Sequence, residues 1–142
     1  MSRADHFTEV TEQNQRRDIY SDFLVDFSVH PDKNDLLRST NENAVKRAIK
    51  NLVLTNTYER FFAPNIGGDI NRLLFELATP ETAFILKKRI TDVIIDYEPR
   101  CRLIEVLVQP YEDENAYVVT ITFQTLNRDT PVQMQVLLNR VR

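Results

Sequence analysis

Three runs of alternating apolar residues fill the C-terminal part of the chain and restrict its fold more than any other feature. Ile104, Val106 and Val108 form the first, and Tyr117, Val119, Ile121 and Phe123 the second. Val132, Met134, Val136 and Leu138 form the third. Side chains two apart share one face of a strand, so each run predicts a strand with one buried face. The connecting "PYEDEN" and "NRDTP" carry turn chemistry, which makes an antiparallel meander the expected pairing.

Helical periodicity comes before these strands. Val45, Ala48, Ile49, Leu52 and Val53 recur at helical spacing in "STNENAVKRAIKNLVLT", where Ser39 and Glu42 have the spacing of a capping box. Ile70, Leu73, Leu74 and Leu77 mark a short second helix, with Asp69 as a plausible cap. A third helix starts at Thr79 as N-cap with Pro80 at its first position, where no intrahelical N–H is lost. Its apolar set is Ala83, Leu86, Ile90, Val93 and Tyr97, and Pro99 disfavours helical backbone at Glu98 and ends it. Earlier still, Phe23, Val25 and Phe27 alternate in "FLVDFSV" and predict a short strand, and "DLLRST" reads as another short strand or a loop. Helices grouped before strands predict an α+β domain. The expected form is three helices packed on one face of a small, mainly antiparallel sheet with a C-terminal three-stranded meander. Residues 1–19 lack periodicity and read as a flexible arm, leaving residues 20–142 as one domain.

Composition excludes several classes of function. The net charge is -3, against the cationic surface that general nucleic-acid binding needs. No apolar run nears the roughly 18 residues of a membrane span. The polar, partly acidic N-terminus resembles neither a signal nor a transit peptide. A single cysteine, Cys101, permits no internal disulfide and reads as an inert buried thiol. With it, two histidines cannot build a zinc cluster of the usual spacing. No Gly-rich phosphate loop is present, since Gly67 and Gly68 are the only glycines. Nothing selects a glycosidase pair from the 21 acidic residues. Phe61, Phe62, Phe75 and Phe84 read as core, and no cofactor or metal is expected. Lys46, Arg47 and Lys50 form a basic cluster on the first helix, and Arg128, Arg140 and Arg142 another near the C-terminus. Each reads as a solvated face or as a docking surface for an acidic protein.

The corner Glu98-Pro99-Arg100 stands out. An anion at a helix C-terminus is disfavoured by about 0.3–1 kcal/mol. Arg100 follows a rigid residue, and its planar fork suits a carboxylate. The corner is either an internal clamp or a docking point for another chain.

At this corner the chain resembles a known family. "YEPR" followed by "LIEVLVQPYEDENAYVVTITF" is similar to the sheath-initiator, or baseplate wedge, family of contractile-tailed phages, shared with type VI secretion systems. "DFSVHPDKNDLL" and "AVKRAIKNLVLTNTYERFFAPNIGGDINRLLFE" match further family segments in the right order. The resemblance spans residues 20–142. It implies a non-enzymatic subunit of the virion tail baseplate, assembled in the host cytoplasm and present in multiple copies of a symmetric baseplate. Its implied partners are the wedge core-bundle proteins and the tail sheath subunit, with neither nucleic acid nor membrane. Glu98, Pro99 and Arg100 would dock on the bundle, with Glu59 and Arg60 as further partner-binding residues. Gln133, Gln135, Leu137 and Arg140 on the last strand would pair with the first sheath ring. The alternative is a lysozyme-like glycoside hydrolase of the baseplate. Tyr58 stands where the family has glycine, and because tyrosine resists positive φ, that turn is expected to differ here.

Overall fold

A computed structural model describes residues 19–24, 26–77, 79–111, 116–126 and 128–139. Nearly all of the expected arm, together with Val25, Arg140 and Arg142, lies outside these residues. The elements run β1 (Ser21–Phe23), β2 (Arg38–Thr40), α1 (Asn41–Leu54), α2 (Ile70–Leu74), α3 (Pro80–Tyr97), β3 (Cys101–Tyr111), β4 (Ala116–Thr125) and β5 (Pro131–Asn139). The fold is α+β with antiparallel sheets. The expected meander is present as β3-β4-β5, whereas β1 and β2 form a second, separate two-stranded sheet.

The alternation seen in the sequence builds the core. Tyr117, Val119, Ile121 and Phe123 of β4 are buried, as are Val132, Val136 and Leu138 of β5. They form one cluster with Val45, Ile49 and Val53 of α1, Ile70 and Leu74 of α2, and Leu86, Ile90 and Ile94 of α3. Each fully buried aliphatic or aromatic side chain contributes roughly 1.5–3 kcal/mol by leaving water. Thr79 caps α3 as expected, its hydroxyl accepting from the Thr82 N–H at 3.3 Å. The helix ends at Tyr97, before Pro99.

Several expectations fail for identifiable reasons. In β3 a bulge shifts the register between Leu103 and Glu105, so Ile104 is 54% exposed while Leu103 and Val106 face the core. An inserted residue reverses the alternation beyond it, which period-two reading cannot detect. The first strand lies earlier than expected. Its inward residue is Asp22, leaving Phe23 and Phe27 outside, and Phe27 has φ 49°. The Ser39–Glu42 capping box does not form. Ser39 pairs with Asp22 in the small sheet, Thr40 becomes the N-cap without a side-chain bond, and Glu42 pairs with Arg128. Asp69 holds the N-cap position of α2 but makes no capping bond, and Leu77 lies beyond the helix and is exposed. None of the four phenylalanines expected in the core is buried: Phe61, Phe62, Phe75 and Phe84 are all exposed.

Candidate docking surfaces

The corner after α3 is built around a buried anion. Glu98 is the helix C-cap, its N–H donating to the Ile94 carbonyl at 3.0 Å, and only 3% of the residue is exposed. Arg100 grips that carboxylate with both prongs of its fork: Nε donates to Oε1 at 2.7 Å and Nη2 to Oε2 at 2.9 Å. The remaining terminal nitrogen, Nη1, reaches across the fold to Asp22 of β1, 3.2 Å from Oδ1 and 3.1 Å from Oδ2. The Tyr20 ring lies 5.8 Å from the guanidinium carbon. Hydrogen bonding to Glu98 raises the Arg100 pKa further above its already high value, against an opposing effect of burial.

The expected outward-facing corner is therefore an internal clamp as far as Glu98 is concerned. Pro99 is exposed, and part of Arg100 remains accessible. The clamp offsets the unfavourable placement of an anion at a helix C-terminus and pins the β1–β2 hairpin to the core. Asp22 and Tyr20 are the residues that sequence reading missed. Their one signal is a polar residue at the inward position of a short strand, which becomes legible only once the strand is placed. Cys101 follows directly. It is half-buried, and burial, then the neighbouring Glu98 charge, push its thiol up to about 11.

The loop from Thr55 to Asp69 carries Glu59 and Arg60. The Glu59 carboxylate accepts from the Asn56 backbone N–H at 2.9 Å and from its side-chain amide at 2.6 Å, bonds that hold the carboxyl pKa below its usual value. Tyr97 O–H donates to the Asn65 carbonyl at 2.8 Å, and the Tyr58 N–H to that of Pro64 at 2.8 Å. Phe61 and Phe62 do not plug the space beneath; they stand almost wholly in water. Phe61→Ala and Phe62→Ala should each cost less than about 1 kcal/mol in urea unfolding, against about 3–5 kcal/mol for a buried ring. A loss of 3 kcal/mol or more would show that the rings pack inward.

Tyr58 does not avoid the glycine-type conformation; it adopts it, with φ 68° and 82% exposure. An L-residue there stores roughly 1–2 kcal/mol, part of which glycine returns as unfolded-state entropy. Tyr58→Gly should accordingly raise stability by about 0.5–1 kcal/mol, read as a higher urea midpoint. A lower midpoint would mean that the ring makes a stabilising contact outweighing the strain.

Arg60 joins Arg100 at an open groove of about 380 Å³ lined also by Asp22, Phe23, Arg47, Ala48, Asn51, Leu52, Tyr97 and Glu98. β5 is an edge of the three-stranded sheet, with Gln133, Gln135 and Leu137 exposed along it. Arg140 lies outside the described residues. The structure thus brings Arg60 to the groove beside the Glu98 corner, and no β5 residue lines that groove. Among the described residues no three His, Cys, Asp or Glu side chains group to hold a metal ion.

Comparison with known proteins places the chain among baseplate proteins by sequence. The family profile described as baseplate wedge protein gp25 matches residues 39–131. The chain is 30% identical over 115 residues to baseplate wedge protein gp25 of Enterobacteria phage T4, covering 81% of this chain and 86% of that protein. A crystal structure provisionally named a tail lysozyme, from Geobacter sulfurreducens, superimposes with a TM-score of 0.67 at 21% identity, over 73% of this chain and 95% of the other. A chain of the anti-feeding prophage baseplate superimposes with a TM-score of 0.58 at 20% identity, over 87% of each.

Proposed function

Since this chain belongs to the baseplate wedge protein gp25 family, we propose that it is a non-enzymatic structural subunit joining a baseplate wedge to a contractile tail sheath. It sits in several copies in the symmetric tail baseplate of a virion, assembled in the host cytoplasm. One end docks on the wedge core bundle through Pro99 and Arg100, with Glu98 setting the guanidinium in place and Glu59 and Arg60 completing the contact. The other end recruits the first ring of sheath subunits by strand pairing along β5. Among the described residues β5 pairs only with β4, so no other strand takes its outer edge.

The observation that carries the sheath contact is the character of β5. Its inner residues fasten it to the core, while Gln133, Gln135 and Leu137 face out from an edge strand without a charge among them. Long uncharged edges invite another strand, and monomeric proteins tend to guard them with lysine or proline. A sheath that contracts under load needs a first ring that does not slip, and backbone pairing fixes register at every hydrogen bond. A lysozyme-like reaction lacks such support. Asp22 and Glu98 are the carboxylates brought together at the groove, and Arg100 already occupies both.

Two variants test the sheath contact. Gln135→Lys with Leu137→Lys guards the edge while leaving the backbone intact, and Gln135→Pro removes one N–H from the strand. The lysine pair is expected to fold normally by circular dichroism and to prevent sheath growth in electron micrographs of reconstituted baseplates. Sheaths of normal length on baseplates carrying the lysine variant would refute edge pairing.

A further inference from the structure

The groove beside the clamp holds more cationic hydrogen-bonding capacity than the fold uses. Three guanidinium groups line it, from Arg47, Arg60 and Arg100, against two carboxylates, Asp22 and Glu98. Arg100 bonds both carboxylates itself. Neither Arg47 nor Arg60 has an ion-pair partner among the described residues, and both are exposed. The chain as a whole is net negative, so this cationic face is a local feature and not a reflection of overall composition.

The apolar part of the surface is equally uneven. Phe61 is 99% and Phe62 104% exposed, and they follow Arg60 directly. They are displayed on a loop held at several points, by Glu59 on Asn56, the Tyr58 N–H on Pro64 and Tyr97 on Asn65. Ordering a loop before binding lowers the entropy lost on association, and two aromatic rings next to an arginine have the composition of an interface centre.

We propose that this groove is a docking site for an acidic segment of another baseplate chain, whose carboxylates pair with Arg47 and Arg60 while its apolar residues cover Phe61 and Phe62. The inference rests on the wedge reading above and extends it by naming the partner's chemistry. Charge complementarity selects the occupant, because two unpaired forks favour carboxylates in bidentate geometry. A small anion would leave the rings and the groove's apolar wall of Phe23, Leu52 and Tyr97 uncovered. A nucleic acid would meet a net negative chain with few cations to neutralise its phosphates.

The test uses the full chain in assembling baseplates. A photo-crosslinking benzoylphenylalanine in place of Phe61 is expected to attach to a peptide of a different baseplate chain with Asp or Glu within one helical turn of the adduct. Arg47→Glu combined with Arg60→Glu should keep the wild-type melting midpoint and reduce incorporation about tenfold or more. Reversing the acidic residue nearest the adduct should restore it. Adducts within residues 1–18 of the same chain, adducts on a segment without carboxylates, or unchanged incorporation of the double variant would overturn the site. So would binding to a 20-nucleotide DNA that the double variant loses. Absence of the wild-type chain from baseplates would remove the wedge reading and this inference together.

Discussion

Arg100→Ala is expected to destabilise the folded chain by about 3 kcal/mol, one of the largest losses that any single polar substitution here should produce. The Glu98 carboxylate is buried and receives both of its close side-chain bonds from Arg100, so removing the guanidinium leaves a buried anion with only the long 3.4 Å bond from the backbone N–H of residue 100. Breaking a buried pair from one side typically costs about 3–5 kcal/mol. The lower end applies because 27% of the Arg100 side chain is exposed, so water can reach part of the site. The hairpin is lost as a secondary effect, since Asp22 no longer has its anchor. Arg100→Lys should fall between wild type and alanine, because an ammonium keeps the charge but not the fork that meets both oxygens of Glu98 and reaches Asp22. Urea unfolding of the three proteins checks the order. A loss below about 1 kcal/mol for alanine would mean that the corner contributes little to the fold. Reversing Glu98 should be worse still, for a cation would then be buried beside Arg100.

Gly67→Ala is the second large effect, with an expected loss of about 2–4 kcal/mol. Gly67 has φ 141°, outside the range of ordinary L-residues. A Cβ there would lie 2.6 Å from the Asn56 carbonyl carbon and 2.7 Å from the Thr55 oxygen, both backbone atoms that cannot rotate away. Next to it, the Gly68 N–H donates to that same Thr55 oxygen at 3.2 Å, so the two ends of the loop meet at this point. Gly68→Ala is the internal comparison. Its Cβ would meet the Ile70 side chain at 2.9 Å, and a flexible aliphatic chain yields more cheaply than backbone. Thermal unfolding should therefore rank Gly67→Ala well below Gly68→Ala. Equal midpoints would show that the loop relaxes freely and that Phe61 and Phe62 are not rigidly presented.

The parts of the fold read correctly from sequence are those in which one physical rule acts alone. Strand β4 alternates without interruption because both of its edges are paired and one face is buried. Helix α3 has a proline at its start and another just past its end, and both act through backbone geometry that tertiary packing does not override. Errors arose where a second interaction competed with the local rule. Glu42 has the spacing of a capping box, but a charged partner on the β4–β5 connection, Arg128, takes its carboxylate. Ile104 sits in a regular alternation that a bulge reverses. Phe61 and Phe62 read as core because they are apolar, although exposed aromatic residues on a braced loop have the composition of a contact surface. For the docking corner, the sequence showed the residues but not their direction. The clamp depends on Asp22, 78 positions away from Arg100, and no local pattern links them.

Electron cryomicroscopy of baseplates bearing a grown sheath tests the central claim most directly. The expected map contains this fold within each wedge, with a sheath strand running alongside β5 at the spacing of about 4.8 Å that backbone pairing requires. A map in which the fold is present but the β5 edge faces solvent, or in which baseplates carrying sheath lack the fold altogether, would contradict it.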